Sequence, residues 1–482
     1  LASQSGSTKP IDELMADSDL PRFRLERPMG RWSLIAIGVG AIVGAGIYSL
    51  PGIAASGEHG RLPAGPAIVI SLALGCVICL AIGACYAELA SLLPLAGSVY
   101  TYSYAALGEL AAWMTGWILT LEYSLANISL ASSFSEQLRI RLADLHILMP
   151  NQWSLPVWSG GKWTGAYFNV PAFLIVMLIT LILSLGTRAF SRTNMLMVTL
   201  KSALILFFVV AGSTLVQPRN WHPFAPGGIR GVLSGGMMIF FVYVGFDCVS
   251  VAAEEARQPK RDIPVGILGS VVVSGILYIA VAAVLLGILP YTTLSYGAGA
   301  SISPIYALAH SGTGAATLGI ALAGMLIGTV SVLFVCQYGQ TRIWYAMARD
   351  GFLPEVFSSL HPTRKIPHWC TWISGASVAL CAGLIDLGES VDLAAHGALA
   401  AFALVPICVI CLRKSQPQRP RPFKAPWMPW LGLASLAPLL VMMASLSRNT
   451  WIRFLIWLLI GLAIYMVYGR YHSKRALQAH VQ

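Results

Sequence analysis

Three ionisable residues stand inside stretches apolar enough to be surrounded by lipid. Lys201 lies in NMLMVTLKSALILFFVV, too deep for its stem to reach water comfortably. Burying such a group in a membrane is costly, so it usually serves a function. An ammonium there is either held permanently by carbonyls or an acid, or it can shed its proton, because desolvation disfavours the charged form. In the second case it could couple proton movement to a ligand bound nearby. Glu122, in ILTLEYSLAN, is the embedded acid best suited to the same network; the alternative is a solvated residue near the outer face. Asp247, in VYVGFDCVSV, is expected to cap a half-helix rather than to touch a ligand. Glu88 in ACYAELASLLP reads as structural or gating. Glu254 and Glu255 read as a salt-bridged helix end beside Arg257, Lys260 and Arg261.

The elements that would position these groups are interrupted. GVGAIVGAGIYSL holds Gly38, Gly40, Gly44 and Gly46 in an otherwise apolar run. Glycine weakens a helix interior, and lipid tolerates no bare backbone. Gly40 and Gly44 have the spacing of close helix packing, which is one explanation. A second run, GGMMIFFVYVGFDCVSVAAEE, carries Gly245 at mid-membrane. Paired interruptions in equivalent helices of two halves point instead to an inverted-repeat transporter. Free N–H groups near Gly44, Ala45 and Gly46 could then hold a carboxylate, and free carbonyls of the preceding half-helix an ammonium. A zwitterion with both groups on one carbon suits that pairing. Tyr243 and Phe246 flank the second break and are candidates to roof a small pocket.

The rest of the chain fits a membrane. Of 482 residues, 56% are hydrophobic and 11% charged, against about 25% charged in soluble domains. The mean hydropathy is +0.71. The net charge of +11 does not imply nucleic acid, because the basic residues sit in short loops between apolar runs. All nine cysteines fall in apolar segments, and the Cys76/Cys79 and Cys408/Cys411 spacings read as packing. Twelve candidate spans lie near 32–56, 66–93, 100–135, 170–187, 193–216, 231–254, 264–289, 313–346, 370–388, 393–412, 427–446 and 450–469. With both termini inside, most of the 31 Lys and Arg residues fall on the inner side, as the positive-inside rule requires. The first run reads as a membrane helix rather than a cleaved leader. No nucleotide loop, zinc spacing or nucleophile elbow is present, so an enzyme is not expected.

GVGAIVGAGIY, VYVGFDCVSVAAEEARQPKRDIPVGI and GQTRIWYAMARDGFLP resemble the amino acid–polyamine–organocation superfamily. Within it they are most similar to the cationic amino acid transporter group and its bacterial homologues. The resemblance runs over residues 20–475, and the second of these motifs is the most specific. It implies an all-α integral membrane protein with twelve transmembrane helices in the LeuT-like arrangement, an inverted 5+5 repeat with two additional helices. The repeats would span 32–216 and 231–412, the extra helices 427–469, with cytoplasmic tails at 1–31 and 470–482. Substrate would lie between the two breaks, its carboxylate on amides of Gly44, Ala45 and Gly46. Its amine would meet carbonyls of Ile42, Phe241, Val242 and Val244, with Val43 completing the unwound stretch. In bacterial relatives a lysine in the fifth helix stands where sodium binds in sodium-coupled cousins. Lys201 falls on that position, so protons and not sodium are the implied coupling ion, and no cofactor is expected. Glu122 and Tyr278 match polar positions linked to the lysine network. Two departures stand out. Relatives often carry Ser or Thr where this chain has Ala45, which leaves carboxylate binding to backbone amides. Cys336 in LFVCQYGQ occupies a pocket position that is a bulky Met in some relatives and small in those taking cationic substrates.

These observations lead us to expect a proton-coupled importer of L-amino acids working by alternating access. Its substrates would be alanine-sized, with larger or basic ones within range. It would sit in a bacterial cytoplasmic (inner) membrane as a multi-pass protein with both termini cytoplasmic. Lipids are its expected surroundings, nucleic acid is not a partner, and the outer helices leave room for a small membrane-protein partner. An exchanger without net proton flow shares every backbone feature and stays open. A nutrient sensor of transporter fold is a further alternative, and the short tails are expected to argue against it.

Overall fold

The computed structural model describes residues 8–44, 46–57, 62–294, 315–386 and 391–473. Nearly all regular structure among them is helical. The tail carries α1 (Ile11–Asp19), followed by α2 (Arg31–Ile42), α3 (Gly46–Ser56), α4 (Ile68–Leu92), α5 (Val99–Ala106) and α6 (Glu109–Asp144). Next come the one-turn α7 (Asn151–Ser154), α8 (Val170–Ser184), α9 (Thr187–Ser213), α10 (Gly228–Phe240), the short α11 (Cys248–Val251) and α12 (Pro259–Ile288). The remainder is α13 (Ala315–Arg349), α14 (His368–Leu384), α15 (Val391–Ser415), α16 (Trp430–Ser445) and α17 (Arg448–Ile464). Among the described residues seven helices are long and apolar enough to cross a bilayer, and α2, α8 and α16 are shorter apolar helices.

α12 packs along α4 and α2, and α13 along α6 and α9. α2 is therefore enclosed by α9, α12 and α13, and Leu34, Ile37, Val39 and Ile42 are buried. The outer helices are one-sided. Leu174, Leu178 and Leu181 of α8 and Leu455 and Leu459 of α17 are exposed at helical spacing, as expected of faces in contact with lipid. Three two-residue strands, β1 (Trp158–Ser159), β2 (Lys162–Trp163) and β3 (Ile385–Asp386), form a small sheet in the order β2-β1-β3. β1 runs antiparallel to β2 and parallel to β3, tying the segment before α8 to the end of α14.

The predicted third span at 100–135 is corrected in kind. It merges α5 with α6, and Gly108 separates them at φ +101°, a conformation L side chains rarely adopt. α6 then continues to Asp144, beyond the predicted end.

The N-terminal tail is built into the bundle. Lys9 is 3% exposed, and its Nζ donates to Asp17 at 2.6 Å and to Asp350 at 2.9 Å. Tyr100 donates to the other Asp350 oxygen at 2.8 Å. Burial works against the ammonium, but Asp350 and Asp17 outweigh it, so Lys9 titrates above its ordinary value of 10.5. Met29 pairs with Ala256, its N–H donating to the Glu255 carbonyl at 3.1 Å and its carbonyl accepting from Arg257 at 2.8 Å. Lys9→Ala leaves Asp350 without its cation, and stability should fall by about 3 kcal/mol. The contribution is fully present below pH 10.5 and is lost as pH rises through the higher folded value. Thermal melts of wild type and variant should therefore differ at neutral pH and converge at strongly alkaline pH.

Candidate functional site

Both predicted interruptions are real, and they touch. α2 closes with Val43 N–H donating to Val39 at 3.0 Å and Gly44 N–H donating to Ile42 at 3.1 Å. Val43 leaves the helix at φ −86°, ψ 87°, and α3 restarts at Gly46. The second break begins where α10 tightens into a turn at Phe241–Tyr243. Val244 is extended at φ −60°, ψ 135°, and Gly245 follows at φ +124°. A Cβ on Gly245 would lie 2.8 Å from Cβ and 3.0 Å from the carbonyl carbon of Ala41. Glycine is needed there twice over, for its dihedral and for the approach of the two chains.

The last turn of a helix leaves carbonyls without intrahelical partners and with partial negative charge. Lys201 of α9 meets them. Its Nζ lies 3.1 Å from Val39 O, 2.9 Å from Gly40 O and 2.7 Å from Val43 O. A fourth contact, at 3.1 Å, is Ser331 Oγ of α13, which itself donates to Gly40 O at 3.3 Å. Lys201 is 1% exposed. One ammonium thus joins α2, α9 and α13. Tyr278 of α12 donates to Ile42 O at 3.2 Å, so a fourth helix also grips the first break.

A second polar cluster lies at the other break. Asp247 accepts from Tyr123 Oη at 2.8 Å, and the same hydroxyl lies 3.4 Å from Cys248 Sγ. Glu122 is buried within electrostatic reach of Asp247 and Cys336, and its Oε2 has no hydrogen-bond partner among the described residues. The Tyr86 hydroxyl, also without a hydrogen-bond partner among the described residues, lies within electrostatic reach of Asp247 and Glu122. Phe246 stacks on Phe402 at 5.1 Å and meets Tyr86 edge-on at 5.7 Å.

The structure sorts the sequence-predicted residues. Ile42, Val43, Gly44 and Gly46 form the first break, and Phe241, Val242 and Val244 the second; Ala45 lies outside the described residues. The Ile42 carbonyl is engaged by Tyr278, and that of Phe241 accepts Val244 N–H at 3.3 Å. Cys336 stands on α13 beside Cys248. Four expectations change. Glu122 has no hydrogen bond or ion pair to Lys201 among the described residues and lies within electrostatic reach of Asp247. Asp247 occupies the N-cap position of α11 without a side-chain capping bond, its carboxylate being taken by Tyr123. Tyr243 turns away to donate to Leu72 O at 3.0 Å rather than roofing a pocket. Glu254 and Glu255 pair with Arg349 at 2.7 Å and Arg342 at 2.8 Å, not with the basic residues that follow them. Glu88 is structural, held by Arg413 and by the Ala425 N–H at 2.8 Å. Ser331 and Tyr123 were missed. A serine in GTVSVLF and a tyrosine beside an acid carry no local signal of what they bond.

Comparison with known proteins places these features. A family model described as amino acid permease matches residues 29–467. The chain is 41% identical to the branched-chain amino acid permease BcaP of Bacillus subtilis (strain 168), over 97% of this chain and 98% of that one. It is 40% identical to the methylthioribose transporter of the same organism, over 96% and 98%. The human cationic amino acid transporter 4 is 31% identical, over 88% of this chain and 65% of its own length.

Gly245→Ala tests the contact between the breaks. Strain at the positive φ and the clash with Ala41 should together cost at least about 2 kcal/mol. The variant should melt lower than wild type, whereas Gly236→Ala on the open side of α10 should not.

Proposed function

This chain belongs to the amino acid permease family, within the amino acid–polyamine–organocation superfamily, and from that membership we propose a proton-coupled importer of amino acids. It is a transporter and not an enzyme. Twelve spans in an inverted 5+5 arrangement with two additional helices fit the helix order, with α2–α3 and α10–α11 as the equivalent broken helices. The basic tails would face the cytoplasm of a bacterial cell. Substrate would bridge the breaks, its carboxylate on the amide of Gly46 and on that of Gly44 once this lets go of Ile42 O, its amine on carbonyls of Val242 and Val244.

The observation that carries this reading is the Lys201 ammonium on three carbonyls of the broken helix. While charged, Lys201 satisfies the end of α2 and fixes the first break. Once its proton leaves, the amine keeps two N–H groups for these oxygens, so one donor and the positive charge that held the break are lost. A proton bound more tightly in one state than in the other shifts the balance between them, which is what coupling requires. The ammonium also supplies positive charge at the carbonyl end of α2, so sodium is not needed there.

Two relatives matched over nearly their full length bear on the substrate differently, the second being named a methylthioribose transporter. One is named for branched-chain amino acids, and Cys336 leaves more room than a methionine would, so we assign small and branched aliphatic amino acids. A basic substrate is the second reading, favoured by the unpartnered Glu122 oxygen beside Asp247.

Uptake of labelled alanine, leucine and arginine into sodium-free proteoliposomes tests both. Leucine should accumulate only under an inward proton gradient, and Lys201→Met should lower that uptake about tenfold or more. Uptake indifferent to the gradient but dependent on preloaded amino acid would make the protein an exchanger. Preference for arginine would select the second substrate reading.

A further inference from the structure

The glutamates that close the second break leave cations behind. Glu254 and Glu255 turn inward to Arg349 and Arg342. Arg257 and Arg261, just downstream, have no carboxylate partner among the described residues, and neither has Arg31 at the start of α2. These three guanidinium groups line one open cleft of about 560 Å³ between the N-terminal ends of α2 and α12. Arg257 Nε donates to Pro28 O at 2.9 Å, which fixes that side chain on the cleft wall. Asp262 shares the cleft, but its carboxylate accepts from the Gln258 N–H at 3.3 Å. The cleft therefore keeps an excess of positive charge.

Its surroundings indicate what kind of anion fits. Trp32, on the rim, is 67% exposed, and the Arg31 guanidinium lies 5.7 Å from its ring. An exposed tryptophan beside arginine is the arrangement found at the level of lipid headgroups. From Arg261, the outward face of α12 continues through exposed Val265, Val272 and Ile276, spaced so that they form one stripe. A cationic cleft thus opens directly onto an apolar wall. A soluble anion would use the first feature only.

We propose that this cleft binds the phosphate of an anionic phospholipid, held by Arg31, Arg257 and Arg261, with its acyl chains along the α12 stripe. Guanidinium forks match phosphate oxygens in pairs, and basic pockets between helices suit such headgroups. The bound lipid bridges α2 to α12, beside the Met29–Ala256 pairing. It therefore stabilises the start of the helix whose other end carries the Lys201 contacts. The proposal does not depend on the coupling ion or the substrate.

Delipidated full-length protein, titrated in detergent and read by native mass spectrometry, tests it. Phosphatidylglycerol should be retained about tenfold more than phosphatidylcholine of the same chains. Arg31→Gln/Arg261→Gln should reduce that retention to the phosphatidylcholine level, and Arg31→Lys/Arg261→Lys should restore part of it. Equal retention of the two lipids by wild type, a comparison needing no variant, overturns the proposal. So does a folded glutamine variant that retains phosphatidylglycerol like wild type. Inorganic phosphate that displaces the lipid and raises the melting temperature alone would show a soluble-anion site and overturn the lipid assignment.

Discussion

Lipid offers no hydrogen bonds, so every helix that stops inside it must find partners for the carbonyls it abandons. The fold around α2 is arranged to meet that requirement. α9 brings an ammonium to Val39, Gly40 and Val43, α12 brings the Tyr278 hydroxyl to Ile42, and α13 brings Ser331 to Gly40. Each of these helices packs on α2 and runs unbroken past it. The broken segment is thus the dependent element, and the intact helices are the frame that satisfies it. The second break is met differently. It is closed by backbone contact, with Gly245 lying against Ala41, and by the Tyr123–Asp247 bond.

Charge is treated in two ways along the same bundle. At mid-depth Lys201 has only neutral partners. Toward the tail, cations are matched with buried acids: the buried Lys9 with Asp350, Arg349 with Glu254 and Arg342 with Glu255, and the half-buried Arg413 with Glu88. Burying both partners of such a pair is expensive, so the pairs add little net stability, whereas removing one partner is costly. What they provide is specificity. Each joins segments far apart in sequence, and together they fix how the tail, the end of the second break and α13 meet.

Much of this could be read from the sequence, and the part that could not has a common cause. The breaks were legible because glycine in an apolar run conflicts with lipid, and Lys201 because a charge there does too. The long helices were legible from apolar length. The division of α5 from α6 was hidden because VYTYSYAALGELAAW carries a single charge, Glu109, in an otherwise uncharged run, and the dihedral at Gly108 that separates the two leaves no mark in composition. Partners chosen across the bundle were also hidden. Glu254 and Glu255 sit next to three basic residues in sequence, but their side chains leave the helix end toward α13, so proximity in the chain misled. The neighbours of Glu122 across the bundle, Asp247 and Cys336, were hidden for the same reason.

The Lys201 ammonium has three protons and four oxygen atoms within bonding distance. One acceptor is always left over, so the arrangement is degenerate rather than unique. Three of the four are carbonyls, which can only accept. Ser331 alone can reverse its role. If the nitrogen becomes an amine, it gains a lone pair that no carbonyl can use but a hydroxyl can fill. The amine's two N–H groups can still donate to carbonyls, but the serine is the single partner in this group able both to accept from the lysine and to donate to it, an anchor that does not ask which form it holds.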